Sequence, residues 1–144
     1  MKIKIKRLDS TLPLPEYQTS GSVAFDLYAR TDATIEPKSI ELIPTNLIVE
    51  TPPGYMLMLA ARSSLPLKKG LILPNGVGII DQDYCGPEDE LKLQVYNITG
   101  DKVSVAKGER IGQAMLVQIG QVIEFEEAEN IRSESRGGFG STGK

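Results

Sequence analysis

The sequence contains no histidine, no tryptophan and only one cysteine, Cys85. Without histidine, no Ser-His-Asp or Cys-His arrangement can form within the chain. The imidazole and thiolate sites that usually hold zinc are excluded as well. One cysteine cannot make an intrachain disulfide, which suits a reducing compartment and sets the expectation of a cytoplasmic protein. The N-terminus carries no apolar leader-like run, and no stretch of 18 apolar residues occurs, so no association with a membrane is expected. The formal net charge is -3, which argues against broad attraction to nucleic acid or anionic lipid. An anionic ligand would need a locally basic site. The lack of tryptophan and the scarcity of other aromatics weigh against a carbohydrate-binding module. Any enzyme built from this composition must take its acids and bases from Asp, Glu, Lys or Tyr, and any metal should be hard and oxygen-ligated.

What the chain has is short period-two segments. Isoleucines alternate with lysines in Met1–Lys6, and YMLML runs over Tyr55–Leu59. ELKLQV over Glu90–Val95 and VIEFEE over Val122–Glu127 repeat the pattern. Alternation of this kind predicts half-buried antiparallel strands. Further strands are expected over Val23–Ala29, Ser39–Leu42, Asn46–Val49, Leu71–Pro74, Gly78–Ile80, Lys102–Val105 and Ala114–Ile119. Turn residues punctuate them at Pro52–Gly54, Asn75–Gly76, Cys85–Pro87, Thr99–Asp101 and Lys107–Glu109. The pattern predicts an all-β sandwich, jelly roll or barrel. About one helical turn is expected after Arg62, capped by Ser63 or Ser64. With 144 residues, the chain fits one domain. We expect a β domain over 1–130 and a mobile glycine-rich arm over 131–144.

Several segments carry possible chemistry, each with a plainer reading beside it. The arm spells GxGxxG and GxxxxGK at Gly138–Lys144, but a dinucleotide site needs a strand before it and a helix after it. Glycine-rich backbone can still wrap anionic oxygens. In AARSSLP, Arg62 offers a fork of donors to phosphate, with Ser63 and Ser64 adding more. The same residues also read as a solvated arginine beside a serine cap. In NGVGIIDQDYCG, an apolar strand runs into Asp81, with Asp83 and Tyr84 close behind. A carboxylate there can orient and deprotonate water, or it can be part of an ordinary turn. Arg110 and Gln113 in GERIGQ suit either a polar ligand or surface pairing. Asp26 interrupts the apolar AFDLYA, and burial would require a charged partner, a hydrogen-bond network or a contact with metal-bound water.

Taken in order, AFDLYA, ARSSLP, NGVGIIDQDY, GERIGQ and GGFGSTG resemble the trimeric dUTPase family from about Ala24 to Gly143. The resemblance implies an antiparallel β jelly roll, also described as a β-clip. It implies a homotrimer with active sites shared between subunits, and magnesium-assisted hydrolysis of dUTP to dUMP and pyrophosphate. Such an activity limits uracil incorporation into DNA and supplies dUMP for thymidylate synthesis. By the same resemblance, Asp81 is the base for the attacking water, and Asp26 holds the metal through water. Arg62, Ser63, Ser64 and Gln113 face phosphate, and Arg110 supports them. Asn75 and Gly78 belong to the uracil-binding segment. Tyr84 packs under the deoxyribose and would clash with a ribose 2′-hydroxyl. Phe139 covers uracil, while Gly140, Ser141 and Thr142 lie near the terminal phosphates.

Two departures qualify the match. Glu134 and Ser135 stand where the family commonly has Arg-Gly, which leaves Arg136, or else Arg132, to reach the terminal phosphate. The segment after Tyr84 is longer than usual, with an enlarged turn expected at Pro87–Asp89. Two other functions stay open at this point: a dCTP deaminase of the same fold family, and a catalytically silent β-sandwich that binds nucleotide.

Overall fold

A computed structural model describes residues 1–138. It contains eleven strands and one short helix. The strands are β1 (Lys4–Arg7), β2 (Phe25–Tyr28), β3 (Ala33–Ile35), β4 (Ile40–Pro44), β5 (Leu47–Glu50) and β6 (Tyr55–Ala61). After helix α1 (Ser64–Lys69) come β7 (Leu71–Ile72), β8 (Gly78–Ile80), β9 (Lys92–Asn97), β10 (Val103–Val105) and β11 (Arg110–Gln118). Every pairing is antiparallel, in sheets ordered β2-β11-β6-β8, β4-β9-β7, β1-β5 and β10-β3. This is the expected all-β jelly-roll architecture.

The alternation read from the sequence sorts the side chains. In β6, Leu57 and Leu59 are buried while Met56, Met58 and Ala60 are half-buried on the other side. In β9, Leu93, Val95 and Asn97 point inward. Leu27, Ile35, Ile43, Leu57, Leu71, Leu91 and Ile111 are fully buried in one continuous core. Asn97 survives there because its amide donates to the Ile35 and Asp101 carbonyls, at 3.1 and 2.8 Å.

Local expectations fail where tertiary context decides. Val122–Glu127 forms no strand, and Ile123 and Phe125 are 100% and 89% exposed. Its alternation gives an apolar face, but no strand among the described residues pairs with it, and an unpaired strand has no ladder to hold it. The serine cap is also absent as such. Ser63 occupies the N-cap position with helical φ and ψ of -54° and -30°, and makes no side-chain capping bond. The helix ends as glycine allows, with Gly70 left-handed at φ 63° and its N–H donating to the Pro66 carbonyl. β3 was not expected, since three residues give no readable period. β11 begins four residues earlier than its apolar run suggests, so GERIGQ lies largely on a strand.

Candidate active site

The longest strand pair, β6 with β11, forms the frame of the site. β2 pairs with the other edge of β11, and Asp26 faces Gln113 across that ladder. The register shifts between Arg110 and Gly112, a β-bulge centred on buried Ile111. Arg110 and Gln113 are three positions apart and would project to opposite faces of a regular strand. The bulge restores them to one side, so Arg110 reaches Asp26.

Asp26 is 7% exposed. Arg62 Nε donates to its Oδ1 at 2.9 Å, and Arg110 Nη1 to its Oδ2 at 3.1 Å. Arg110 Nη1 also reaches Gln18 Oε1 at 3.3 Å, and Gln113 Nε2 donates to the Ala61 carbonyl at 3.0 Å. A buried carboxylate is thus compensated by two guanidinium groups that are themselves partly exposed, and Arg62 Nη1 also donates to the Arg110 carbonyl at 3.5 Å. Of the readings open for Asp26, the geometry contains the charged partner, twice over, and with it a hydrogen-bond network. Burial and the Asp26 charge push the Tyr28 hydroxyl above its usual range at the same corner.

Arg62 and Arg110 open onto a cleft of about 350 Å³, lined also by Ser64, Leu65, Lys68, Lys69 and Glu109. The two lysines come from the last turn of α1 and were not singled out from the sequence. Lys69 is already engaged by Glu109 at 2.9 Å and the Ser104 carbonyl at 2.6 Å. The signal for them was the spacing of Lys68 and Lys69 from Ser64 within one short helix.

Asp81 lies elsewhere. β8 pairs with β6 so that Ile80 faces Leu57, which puts Asp81 abreast of Met56. It borders a separate cleft of about 460 Å³ with Tyr55, Met56, Gln82, Asp83, Ile119 and Gln121. Arg62 follows the opposite end of β6, six residues further on. At roughly 3.3 Å per strand residue, about 20 Å separates the two within one chain. Gly78 lies against Leu59, where an added Cβ would sit 3.1 Å from the leucine Cβ. Asn75 is exposed, with its carbonyl accepting from the Val77 N–H at 2.9 Å. The chain turns after Asp81: the Tyr84 N–H donates to the Asp81 carbonyl at 3.4 Å, so simple strand parity does not relate Asp81 to Asp83. Tyr84 is 38% exposed.

Arg132 and Arg136 are exposed beyond the last strand. Phe139, Gly140, Ser141 and Thr142 lie outside the described residues. Sequence reasoning therefore located two polar centres, one around Asp26, Arg62, Arg110 and Gln113 and one around Asp81 and Tyr84. A single chain does not bring them together.

The dUTPase family model matches residues 10–143. The chain belongs to the dUTPase family. It is 42% identical over 147 residues to the deoxyuridine 5′-triphosphate nucleotidohydrolase of Finegoldia magna, covering 99% of each chain. A crystal structure of a Streptococcus mutans dUTPase is similar with a TM-score of 0.77 and 30% identity, covering 83% of this chain and 98% of that one. A mutant dUTPase from phage phi11 of S. aureus shares the fold at a TM-score of 0.80 and 20% identity, covering 91% and 99%. That phage protein is described as coordinating a structural Mg(II) ion.

In this dUTPase-family chain, no group of three or more Cys, Asp or Glu suited to a metal ion occurs among the described residues. Asp26 uses one lone-pair position on each oxygen for an arginine and retains others able to accept from metal-bound water. The donor set therefore fits an ion brought in on phosphate oxygens, since magnesium keeps several waters and needs few protein ligands. Among the described residues, no helix is long and apolar enough to cross a membrane.

Proposed function

We propose that this chain hydrolyses dUTP to dUMP and pyrophosphate, thereby limiting uracil incorporation into DNA and supplying dUMP for thymidylate synthesis. The observation that carries the reading is the arginine pair held by buried Asp26, combined with a family match over almost the whole chain. Arg62 and Arg110 are already oriented and partly neutralised, so a triphosphate meets donors that need little reorganisation. Arg62, Ser63, Ser64 and Gln113 bind phosphate, and Arg110 fixes the network behind them. Asn75 and the backbone at Gly78 bind the uracil edge. Tyr84 walls the sugar. Asp81 takes a proton from water as the water oxygen bonds to the α-phosphorus. The bond to the bridging oxygen breaks, and pyrophosphate leaves with the electron pair. Magnesium, held through water by Asp26, would screen the phosphate charge and orient the chain of phosphates. Arg136 is the residue we assign to the terminal phosphate, while Phe139, Gly140, Ser141 and Thr142 close over the bound nucleotide. Residues 1–130 then serve as the framework and 131–144 as the arm that completes the site.

The active enzyme is a homotrimer with sites shared between subunits. The separation of about 20 Å between Asp81 and Arg62 supports this, because one α-phosphate cannot be served by both in the same chain. Exposed apolar side chains at Ile79, Ile123 and Phe125 also favour association between copies. We assign the enzyme to the cytoplasm, a compartment that suits a chain whose one cysteine, Cys85, cannot form an intrachain disulfide. Neither nucleic acid nor a membrane is assigned as a partner, given the net charge of -3. Tyr84 and the GGFGSTG arm favour hydrolysis over deamination. An Asp81→Asn variant tests the assignment: dUTP binding should persist while single-turnover hydrolysis is lost, and unchanged turnover would remove Asp81 from the base role.

A further inference from the structure

The hydroxyl of Tyr84 donates to the main-chain carbonyl of Glu90 at 3.3 Å. Tyr84 itself is 38% exposed, whereas Glu90 is only 5% exposed. The Glu90 carboxylate is held by a bidentate fork, with Arg30 Nε donating to Oε1 and Nη2 to Oε2, both at 2.8 Å. The Asn46 N–H adds a third donor to Oε1 at 2.8 Å. The next residue is fixed as firmly. Leu91 N–H donates to the Leu47 carbonyl at 2.8 Å, and the Leu91 carbonyl accepts from Thr45 N–H and Oγ1 at 3.0 and 2.7 Å.

Between Tyr84 and Glu90 lies the enlarged turn. Its Asp89 carboxylate accepts from the Gly86 N–H at 2.7 Å, and Asp89 N–H donates to the Gly86 carbonyl at 3.2 Å. A Cβ at Gly86 would lie 2.9 Å from Asp89 Oδ2, so this closure favours glycine. The turn thus carries an exposed aromatic at its start and a core-anchored acid at its end. Burying the Glu90 carboxylate is costly without the partly exposed Arg30 beside it, and the proposed chemistry uses neither residue.

We infer that Arg30 and Glu90 are positioning residues for sugar selection: they fix the carbonyl that holds the Tyr84 hydroxyl, and so set how closely the ring approaches C2′ of the bound nucleotide. This rests on the reading of Tyr84 as the sugar wall. A ring free to recede would admit the extra hydroxyl of UTP, so the pair acts on discrimination rather than on proton transfer.

The test is the ratio of kcat/KM for dUTP to that for UTP, measured with magnesium on the full chain, alongside a thermal melt. Arg30→Met should lower the ratio about fivefold, the scale of one hydrogen bond. Tyr84→Phe should lower it by a similar factor, and the double variant should show no further loss, because both changes cut the same link. Arg30→Lys keeps the charge without the fork and should fall between wild type and Arg30→Met. It also serves if the methionine variant does not fold. A purely structural role would lower the melting temperature and leave the ratio alone, and that result overturns the inference. Independent, multiplying effects in the double variant would also overturn it. Wild type that turns over dUTP and UTP equally would defeat the Tyr84 reading and this inference together. No turnover of dUTP would instead defeat the proposed function.

Discussion

Mixing two inactive variants should restore activity. Asp81→Asn removes the proposed base and leaves the arginine site intact, while Arg62→Met does the reverse. Asp81 is abreast of Met56 at one end of β6 and Arg62 follows Ala61 at the other, so a site built from both must take them from different chains. In a closed trimer that contains both variants, whichever is present twice, one of the three neighbour pairs joins an intact Asp81 to an intact Arg62, so about one third of sites recover in mixed trimers and about one quarter in an unsorted equal mixture. Differently tagged variants would be coexpressed, the doubly tagged oligomers isolated, and pyrophosphate release from dUTP measured per site. Each parent alone should be inactive. Activity well above the sum of the parents supports the shared site. Mixed oligomers no more active than the parents would refute the geometric reasoning, because sites contained within one chain cannot complement.

Further predictions concern the frame around that site. Asp26→Asn keeps the shape but strands two guanidinium groups side by side. Because Arg62 and Arg110 side chains are 28% and 42% exposed, solvent offsets part of the loss. A cost of about 2 kcal/mol is expected, seen as a fall of roughly 6 °C in melting temperature at fixed protein concentration. A shift below about 1 °C would mean the network carries little stability. Asp9 gives a pH dependence. Hydrogen bonds from Lys107 Nζ, at 2.6 Å, and from Thr11 hold its carboxyl well below the usual carboxylate range. Its contribution is therefore complete above the unfolded value of about 3.9 and is lost as pH falls through the lower folded value. Lys107→Met should shrink the acid-induced drop in melting temperature below about pH 4, and an unchanged acid limb would contradict the pairing.

Much of this architecture is legible in residue order because antiparallel strands with one buried face impose a period of two. β6 and β9 show it directly. Val122–Glu127 carries the same signal and fails, since periodicity marks an apolar face without supplying the strand that covers it. The short β3 fails in the opposite sense, being too brief to display a period. At the site, burial of Asp26 implied a partner, but the partners' identity depended on a bulge at Ile111 that no local pattern reveals. The Arg30–Glu90 pair joins residues 60 positions apart, so it emerges only once β4, β5 and β9 are assembled. The resemblance implied sites shared between subunits, but not that Asp81 and Arg62 lie at opposite ends of β6, because order along the chain says nothing about which end each one meets.

The central claim is tested most directly by supplying the purified chain with magnesium and a panel of dUTP, UTP, dCTP and dTTP, and identifying every product. Hydrolysis of dUTP to equal amounts of dUMP and pyrophosphate, with dCTP unchanged, is the predicted result. Deamination of dCTP, release of single phosphates from dUTP, or binding of dUTP without turnover would contradict it.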